Sequence, residues 1–340
     1  MKAWKKYWQQ NKNKGIYIMA GVMCVTAALC SICMGTANLT LEEMWNALRN
    51  GAENSGMTGN IFWYIRLPRT AACLLAGAGL AVSGTVIQGV LANKLASPGI
   101  IGVNAGAGLA VTICCACGAI SGWMIAGTSF VGALLAVFLV SFTAQKINAS
   151  RTTVILGGVA VNSFLNAASE AITTLIPEVG VMSADFRVGG FSAVSHIRLV
   201  PAGILILTSL SLVFSLHNEL DLMNLGEEMA QGLGLSVKRM RTIFLVLAAL
   251  LAGASVSFAG LLGFVGLIVP HIVRRLVGGE NKKLLPLCAL GGATFVTVCD
   301  MIARMAFAPY EIPVGVLMSF IGGPFFIWLL LKRKGGHARD

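Results

Sequence analysis

Charge is what this chain lacks. No Asp, Glu, Lys or Arg occurs between Leu95 and Gln145, and over all 340 residues 11% are charged against 56% hydrophobic. A soluble domain carries about a quarter charged residues, so this composition, with a mean hydropathy of +0.80, excludes a water-soluble fold. A helix rises about 1.5 Å per residue and the hydrocarbon core is about 30 Å thick, so roughly 20 apolar residues make one crossing. The uncharged stretch from Leu95 to Gln145 is long enough for two crossings and must turn inside or at the far face of a bilayer.

Further absences narrow the function. Acidic residues number 14 against 25 Lys and Arg, a net charge of +11. The cations sit in short clusters between apolar runs, which points to orientation in a membrane and away from nucleic acid. There is no Gly-Lys pair, hence no phosphate-binding loop, and the chain does not hydrolyse ATP by itself. His196, His217, His271 and His337 are far apart, with no second His and no Cys at ligand spacing to any of them, so neither a resident metal nor a cofactor is expected. Cys30/Cys33 and Cys114/Cys117 have C-x-x-C spacing, but both pairs lie in charge-free segments and read as helix filler. No paired His/carboxylate set suits an intramembrane enzyme. An ion-coupled secondary transporter would need a charged group at mid-membrane, and Glu170 falls near the outer face instead.

What is abundant is glycine, with 40 residues. In lipid, small residues let helix backbones approach closely. Gly77/Ala81, Gly79/Ser83, Gly102/Gly106 and Ser319/Gly323 all have small-xxx-small spacing. The apolar run Gly15–Leu41 follows Lys2, Lys5, Lys6, Lys12 and Lys14 and is too long for the h-region of a secretory signal, about 7–15 residues, so it is read as a retained first helix. The run Thr242–Val273 is flanked by basic residues on both sides and interrupted by Gly260, Gly263, Gly266 and Pro270, so it goes out and returns. The expected fold is an all-α polytopic membrane protein of about ten transmembrane helices with both termini cytoplasmic. Residues 1–340 form one transmembrane domain. It comprises a tail (1–15), membrane helices at 16–35, 62–91, 99–117, 123–146, 152–176, 199–216, 241–260, 263–276, 284–307 and 313–331, and a cytoplasmic loop at 217–240. Most Lys and Arg then lie inside, leaving Arg49, Arg66, Arg69, Arg187, Arg198 and Arg304 outside.

The loop 217–240 carries four carboxylates. Asn224 with Glu227 three residues on resembles a capping box, Glu228 adds charge favourable to a helix amino end, and Gly232 and Gly234 supply a stop. A short helix offered to the cytosol suits docking of a partner.

Three motifs are more specific. Arg66-Leu67-Pro68-Arg69 opens the second crossing, Asn93-Lys94-Leu95-Ala96-Ser97-Pro98-Gly99 follows it, and Gly263-Phe264-Val265-Gly266-Leu267-Ile268-Val269-Pro270-His271-Ile272-Val273-Arg274 comes late. With them the chain resembles, from about residue 60 to 332, the permease subunits of ABC importers for iron–siderophore complexes, vitamin B12 and haem. Lys94 and Phe186 depart from the family, which usually has proline and tryptophan there.

The resemblance implies a vitamin B12 importer permease-like bundle in a bacterial cell membrane. The partners it implies are a second permease copy (homodimer or close paralogue), two cytosolic ATPase subunits, an extracytoplasmic substrate-binding protein and membrane lipid. It makes Leu225, Gly226, Glu227, Glu228, Ala230, Leu233 and Gly234 the ATPase-coupling segment. Arg66, Arg69 and Arg304 would accept carboxylates of the binding protein, against the alternative that they anchor helix ends and that Asp300 pairs with Arg304. The cytoplasmic gate and pathway would involve Asn93, Leu95, Thr152, Asn162 and Asn166, with the Ser150–Thr153 turn. The substrate class is a bulky metal chelate, with a ferric siderophore preferred as the commonest in the family and haem or cobalamin as alternatives.

Overall fold

The computed structural model describes residues 2–35, 39–51, 56–146 and 151–334, and among these every regular element is helical. Ser150 and His337 lie outside the described residues. In chain order the elements are α1 (Lys2–Cys33), α2 (Leu41–Asn50), α3 (Gly56–Asn60), a π-helical turn (Ile61–Arg66), α4 (Leu67–Val90), a 3-10 turn (Pro98–Ile101), α5 (Val103–Ala116), α6 (Gly122–Lys146), α7 (Arg151–Leu175), α8 (Pro177–Val188), α9 (His196–Ser215), α10 (His217–Asn224), α11 (Glu227–Gly232), α12 (Val237–Ala259), α13 (Val265–Val277), α14 (Asn281–Met305) and α15 (Val314–Lys334). Seven helical stretches among the described residues are long and apolar enough to cross a membrane, and α5 and α15 are shorter apolar helices. The two-crossing reading of 95–145 corresponds to α5 and α6, and the out-and-back reading of 242–273 to α12 and α13.

The core forms around α4 and α12. From Ala72 to Val90 α4 is buried almost without interruption, because neighbouring helices lie on several of its sides. Glycine makes that possible. A Cβ on Gly77 would sit 2.2 Å from the Gly292 carbonyl oxygen of α14, and one on Gly84 would sit 2.0 Å from the Gly266 oxygen of α13. Gly106 and Gly132 join α5 to α6 in the same way, at 2.3 and 2.4 Å from each other's carbonyl oxygen. Three of the four small-residue pairs named above therefore lie at helix crossings. The fourth does not: nothing comes within 4 Å of a Cβ on Gly323, so Ser319/Gly323 packs no helix of this chain at that position.

Proline at position 270 has a specific compensation. It lacks an N–H, so the carbonyl one turn earlier, that of Gly266, loses its helical donor. Gln88 Nε2 of α4 donates to that oxygen at 3.2 Å, and Arg274 Nη1 donates to Gln88 Oε1 at 3.0 Å. In an apolar surround an unsatisfied carbonyl is costly, and this chain of bonds is the physical content of the late Gly-Pro-His-Arg motif. The two departures from the family pattern are also accommodated. Lys94 is exposed and its N–H makes no backbone bond among the described residues, so proline would lose nothing there. Phe186 offers its carbonyl to Leu261 N–H at 2.9 Å, a contact any side chain permits.

One local expectation is corrected. Asn224 and Glu227 do not form a capping box: Asn224 ends α10, and α11 starts from Gly226 at φ 110° without a side-chain cap. The left-handed turn at Gly226 takes the place of the cap, and Glu227 is ion-paired with Arg241 of α12 instead of reaching back. A true capping box occurs on α2, where Thr40 and Glu43 bond reciprocally. The Thr40 backbone N–H, followed by its hydroxyl, holds the Glu43 carboxyl below its ordinary range.

Candidate functional site

The two ends of the bundle carry different chemistry. At one end the carboxyl terminus of α1, the start of α4, the end of α14 and the segment before α15 converge on Asp300. This aspartate is 1% exposed and receives Arg69 through Nε (3.1 and 3.2 Å) and Nη2 (3.0 Å). Arg304 lies one turn after Asp300 with Nε 3.1 Å from Oδ2. Arg69 Nη1 also donates to Glu311 Oε2 at 2.8 Å. Arg304 Nη2 donates to Ser31 Oγ at 3.0 Å, and Arg66 Nη1 donates to the Ile32 and Cys33 carbonyls at 2.8 and 2.7 Å, closing the end of α1. A helix leaves its last carbonyls without partners, and a cation there also complements the helix dipole.

Arg66, Arg69 and Arg304 are thus 3%, 8% and 4% exposed. Of the two readings the sequence left open, the pairing of Asp300 with Arg304 is present, and each of the three guanidiniums is engaged inside the protein. Buried charges require pairing, and Asp300, one turn from Arg304 in sequence, supplies it to two of them.

At the opposite end α10 and α11 form a hook between α9 and α12. Ala230 is fully buried, while Leu225, Met229 and Leu233, four residues apart, are 55%, 65% and 63% exposed. They make an apolar stripe on an otherwise polar segment that also carries the exposed Glu228. Gly234 at φ 85° ends the hook, as its sequence position suggested. The hook is tied to the bundle at two points. Glu227 pairs with Arg241, and Asp221 Oδ1 of α10 accepts from Asn281 N and Nδ2 at 3.0 and 2.8 Å at the start of α14. A displacement of α11 therefore bears on α12 and α14, both packed on α4.

Of the gate residues, three act on the α4–α5 connection. Asn93 Oδ1 accepts from Leu95 N at 3.0 Å, shaping the α4–α5 turn, and Asn162 Nδ2 of α7 holds the following 3-10 turn by donating to Gly99 and Ile100 carbonyls at 2.7 and 3.1 Å. Gly158 allows this approach, since a Cβ there would sit 2.3 Å from the Ile100 oxygen. Thr152 and Asn166 lie apart from that connection, exposed on α7 beside Leu156, Val159 and Phe164.

A cavity of about 490 Å³ opens between α8, the α12–α13 connection and α15, lined by Arg187, Leu261, Val316, Ser319, Phe320 and Pro324 among others. Arg187 Nη2 donates to Thr112 Oγ1 (3.1 Å) and Ser169 Oγ (2.7 Å), its Nε is buried without a hydrogen-bond partner, and no carboxylate pairs with it among the described residues. Sequence reasoning placed Arg187 only as an external cation. The absence of a nearby acidic residue on α8's inner face was the available signal, but the hydroxyl partners come from α5 and α7 and could not be read from spacing.

The comparisons agree with this architecture. The model of the FecCD transport family matches residues 23–332. The hemin transport system permease protein HmuU of Yersinia pestis is 34% identical over 322 residues, covering 92% of this chain and 94% of that protein. The vitamin B12 import system permease protein BtuC of Salmonella paratyphi A is 34% identical over 335 residues, covering 95% and 97%. Among solved structures, a metal-chelate type ABC transporter in an inward-facing conformation superposes with a TM-score of 0.83 at 28% identity, covering 94% of this chain and 99% of the other.

Proposed function

The chain belongs to the FecCD transport family and is an ABC importer permease of the cell membrane, and from that premise we propose that it carries a bulky, anionic metal chelate inward, driven by a separate ATPase that grips the α10–α11 hook. The observation that carries the coupling role is the stripe Leu225, Met229, Leu233 with Glu228 beside it, on a segment standing off the bundle. An apolar stripe rimmed by charge outside the membrane fits a protein groove. Ten helices cross the membrane with the hook and both tails in the cytosol. Two permease copies enclose the pathway between them, with the exposed face of α7 carrying Thr152 and Asn166 towards it, and Asn93, Leu95 and Asn162 fixing the turn at its cytoplasmic side.

Binding-protein docking at the outer end takes the form of carboxylate exchange. Glu311 is the half-exposed member of the arginine network, and an incoming carboxylate competes with it for Arg69, while Arg66 and Arg304 keep the network in shape. Long-range attraction to this positive end would speed the encounter.

Arg187 supports an anionic cargo. A guanidinium without a carboxylate partner beside a cavity is suited to an oxygen anion. A ferric siderophore with ionised oxygen ligands meets that description. So does haem, through its propionates, and the likeness to a hemin permease favours it as the second reading. Cobalamin, whose side chains are largely amides, fits less well.

The test is uptake into proteoliposomes containing the cognate ATPase and binding protein. Replacing Glu227 and Glu228 by Lys should abolish ATP-driven uptake while membrane insertion stays intact. Full uptake in that variant removes the coupling role.

A further inference from the structure

Two cations from different helices converge on one indole. Arg275 Cζ of α13 lies 5.3 Å from the ring centroid of Trp328, and Lys332 Nζ of α15 lies 5.1 Å from it. Phe325 supports the indole at 5.9 Å, and His271 in turn meets Phe325 at 5.9 Å. Neither Arg275 nor Lys332 has a carboxylate within ion-pair distance among the described residues. Cation–π attraction offsets part of their mutual repulsion, yet two like charges held at one ring without an anion call for a counter-charge from outside the chain.

The surroundings specify its form. Ile272 lies one turn before Arg275 on the same face of α13, Ile321 lies two turns before Trp328 on α15, and both side chains are exposed. An apolar strip therefore ends in a basic, aromatic cap. Tryptophan and long cations take this position where acyl chains give way to headgroups, and anionic lipids attract such cations.

We propose that Arg275, Trp328 and Lys332 form a binding site for the phosphate of an anionic phospholipid, whose acyl chains lie along Ile272 and Ile321. The phosphate sits between the guanidinium and the ammonium, and the indole shields both from water. Because α13 bears on α4 through Gln88 and α15 lines the Arg187 cavity, the lipid joins the two helices at the end where the hook is attached.

The test uses the purified full chain in detergent, titrated with brominated phosphatidylglycerol while tryptophan emission is read. The chain has six tryptophans, so the Trp328 signal is the difference between the unaltered chain and Trp328→Phe. Saturable quenching is expected, with brominated phosphatidylcholine roughly tenfold weaker. In the double variant Arg275→Gln/Lys332→Gln the apparent affinity should fall roughly 30-fold, from ~1 kcal/mol per basic residue. Arg239→Gln, an exposed cation on the hook side, should leave it unchanged. Glycerol 1-phosphate at millimolar concentration should not displace the lipid. Equal quenching by both lipids in chain and double variant, full displacement by glycerol 1-phosphate, or a Trp328 shielded from every lipid by a second copy would each overturn the proposal.

Discussion

Glu227 of the hook is ion-paired with Arg241 of α12 across a segment that contains Gly232 and Gly234. The pair fixes the short α11 against a long helix of the core, so that a pull on the hook reaches the bundle instead of being absorbed by the glycines. With Asp221 joined to Asn281, the hook has two attachments on opposite sides.

Breaking the first attachment should uncouple transport without unfolding the protein. Arg241→Glu is expected to lose most ATP-driven uptake, and Arg241→Glu/Glu227→Arg to regain a substantial part. Thermal stability should change little, since a partly exposed pair contributes up to about 1 kcal/mol. Uptake and unfolding midpoints measured side by side on both variants check this.

The Asp300 cluster behaves differently because it is buried. Asp300→Asn removes the charge that compensates Arg69 and Arg304 and should cost about 3–5 kcal/mol, read as a sharp loss of folded protein after detergent extraction. Glu311→Gln touches the half-exposed branch alone and should leave folding intact while strengthening binding-protein association, because Arg69 is freed for an incoming carboxylate. Equal damage from both substitutions contradicts the division into a core and an exchangeable branch.

Gln88→Leu leaves the Gly266 carbonyl without a donor and Arg274 without its acceptor. The expected loss is about 1–3 kcal/mol, measured as a lower unfolding midpoint. Gln88→Glu keeps the Arg274 bond but sets a carboxylate against the Gly266 oxygen, and should be no better than leucine.

At the close approaches, Gly84→Val should prevent assembly of α4 against α13, since even a Cβ meets backbone there, whereas Gly323→Ala should be neutral. Expression as monodisperse protein in detergent distinguishes them.

For cargo, Arg187→Ala should depress uptake of anionic chelates at least tenfold with little effect on ATPase association, and Arg187→Lys should restore part of it. Competition between chelates of different charge in the same vesicles reads the effect directly.

The sequence carried the all-helical, membrane-spanning class and the order of the long apolar helices because burial in lipid leaves a compositional mark that no packing detail can erase; seven stretches among the described residues are long enough to cross, with α5 and α15 shorter. It carried the end of α11 for a local reason: Gly234 supplies the positive-φ turn that follows it. The starting geometry of α11 was misread since Asn224 is a good capping residue by type, and only the three-dimensional path shows that Glu227 has Arg241 as a partner. For the arginines the sequence left docking and pairing open, and local spacing shows only the Asp300 partner of Arg304. Asp300, Ser31 and the end of α1 close over them, and the Arg69–Asp300 and Arg304–Ser31 contacts span more than two hundred residues. The Gln88–Gly266 bond spans 178 residues and the hydroxyl partners of Arg187 come from two other helices, so neither leaves a trace in local spacing.

The most direct test of the central claim is uptake of a labelled chelate into proteoliposomes holding this chain, its ATPase and internal ATP, with binding protein outside. Uptake that requires all three components and ceases when ATP is withheld, whatever proton or sodium gradient is imposed, is the result expected. Uptake by the chain alone, driven by an ion gradient without ATP, would contradict it.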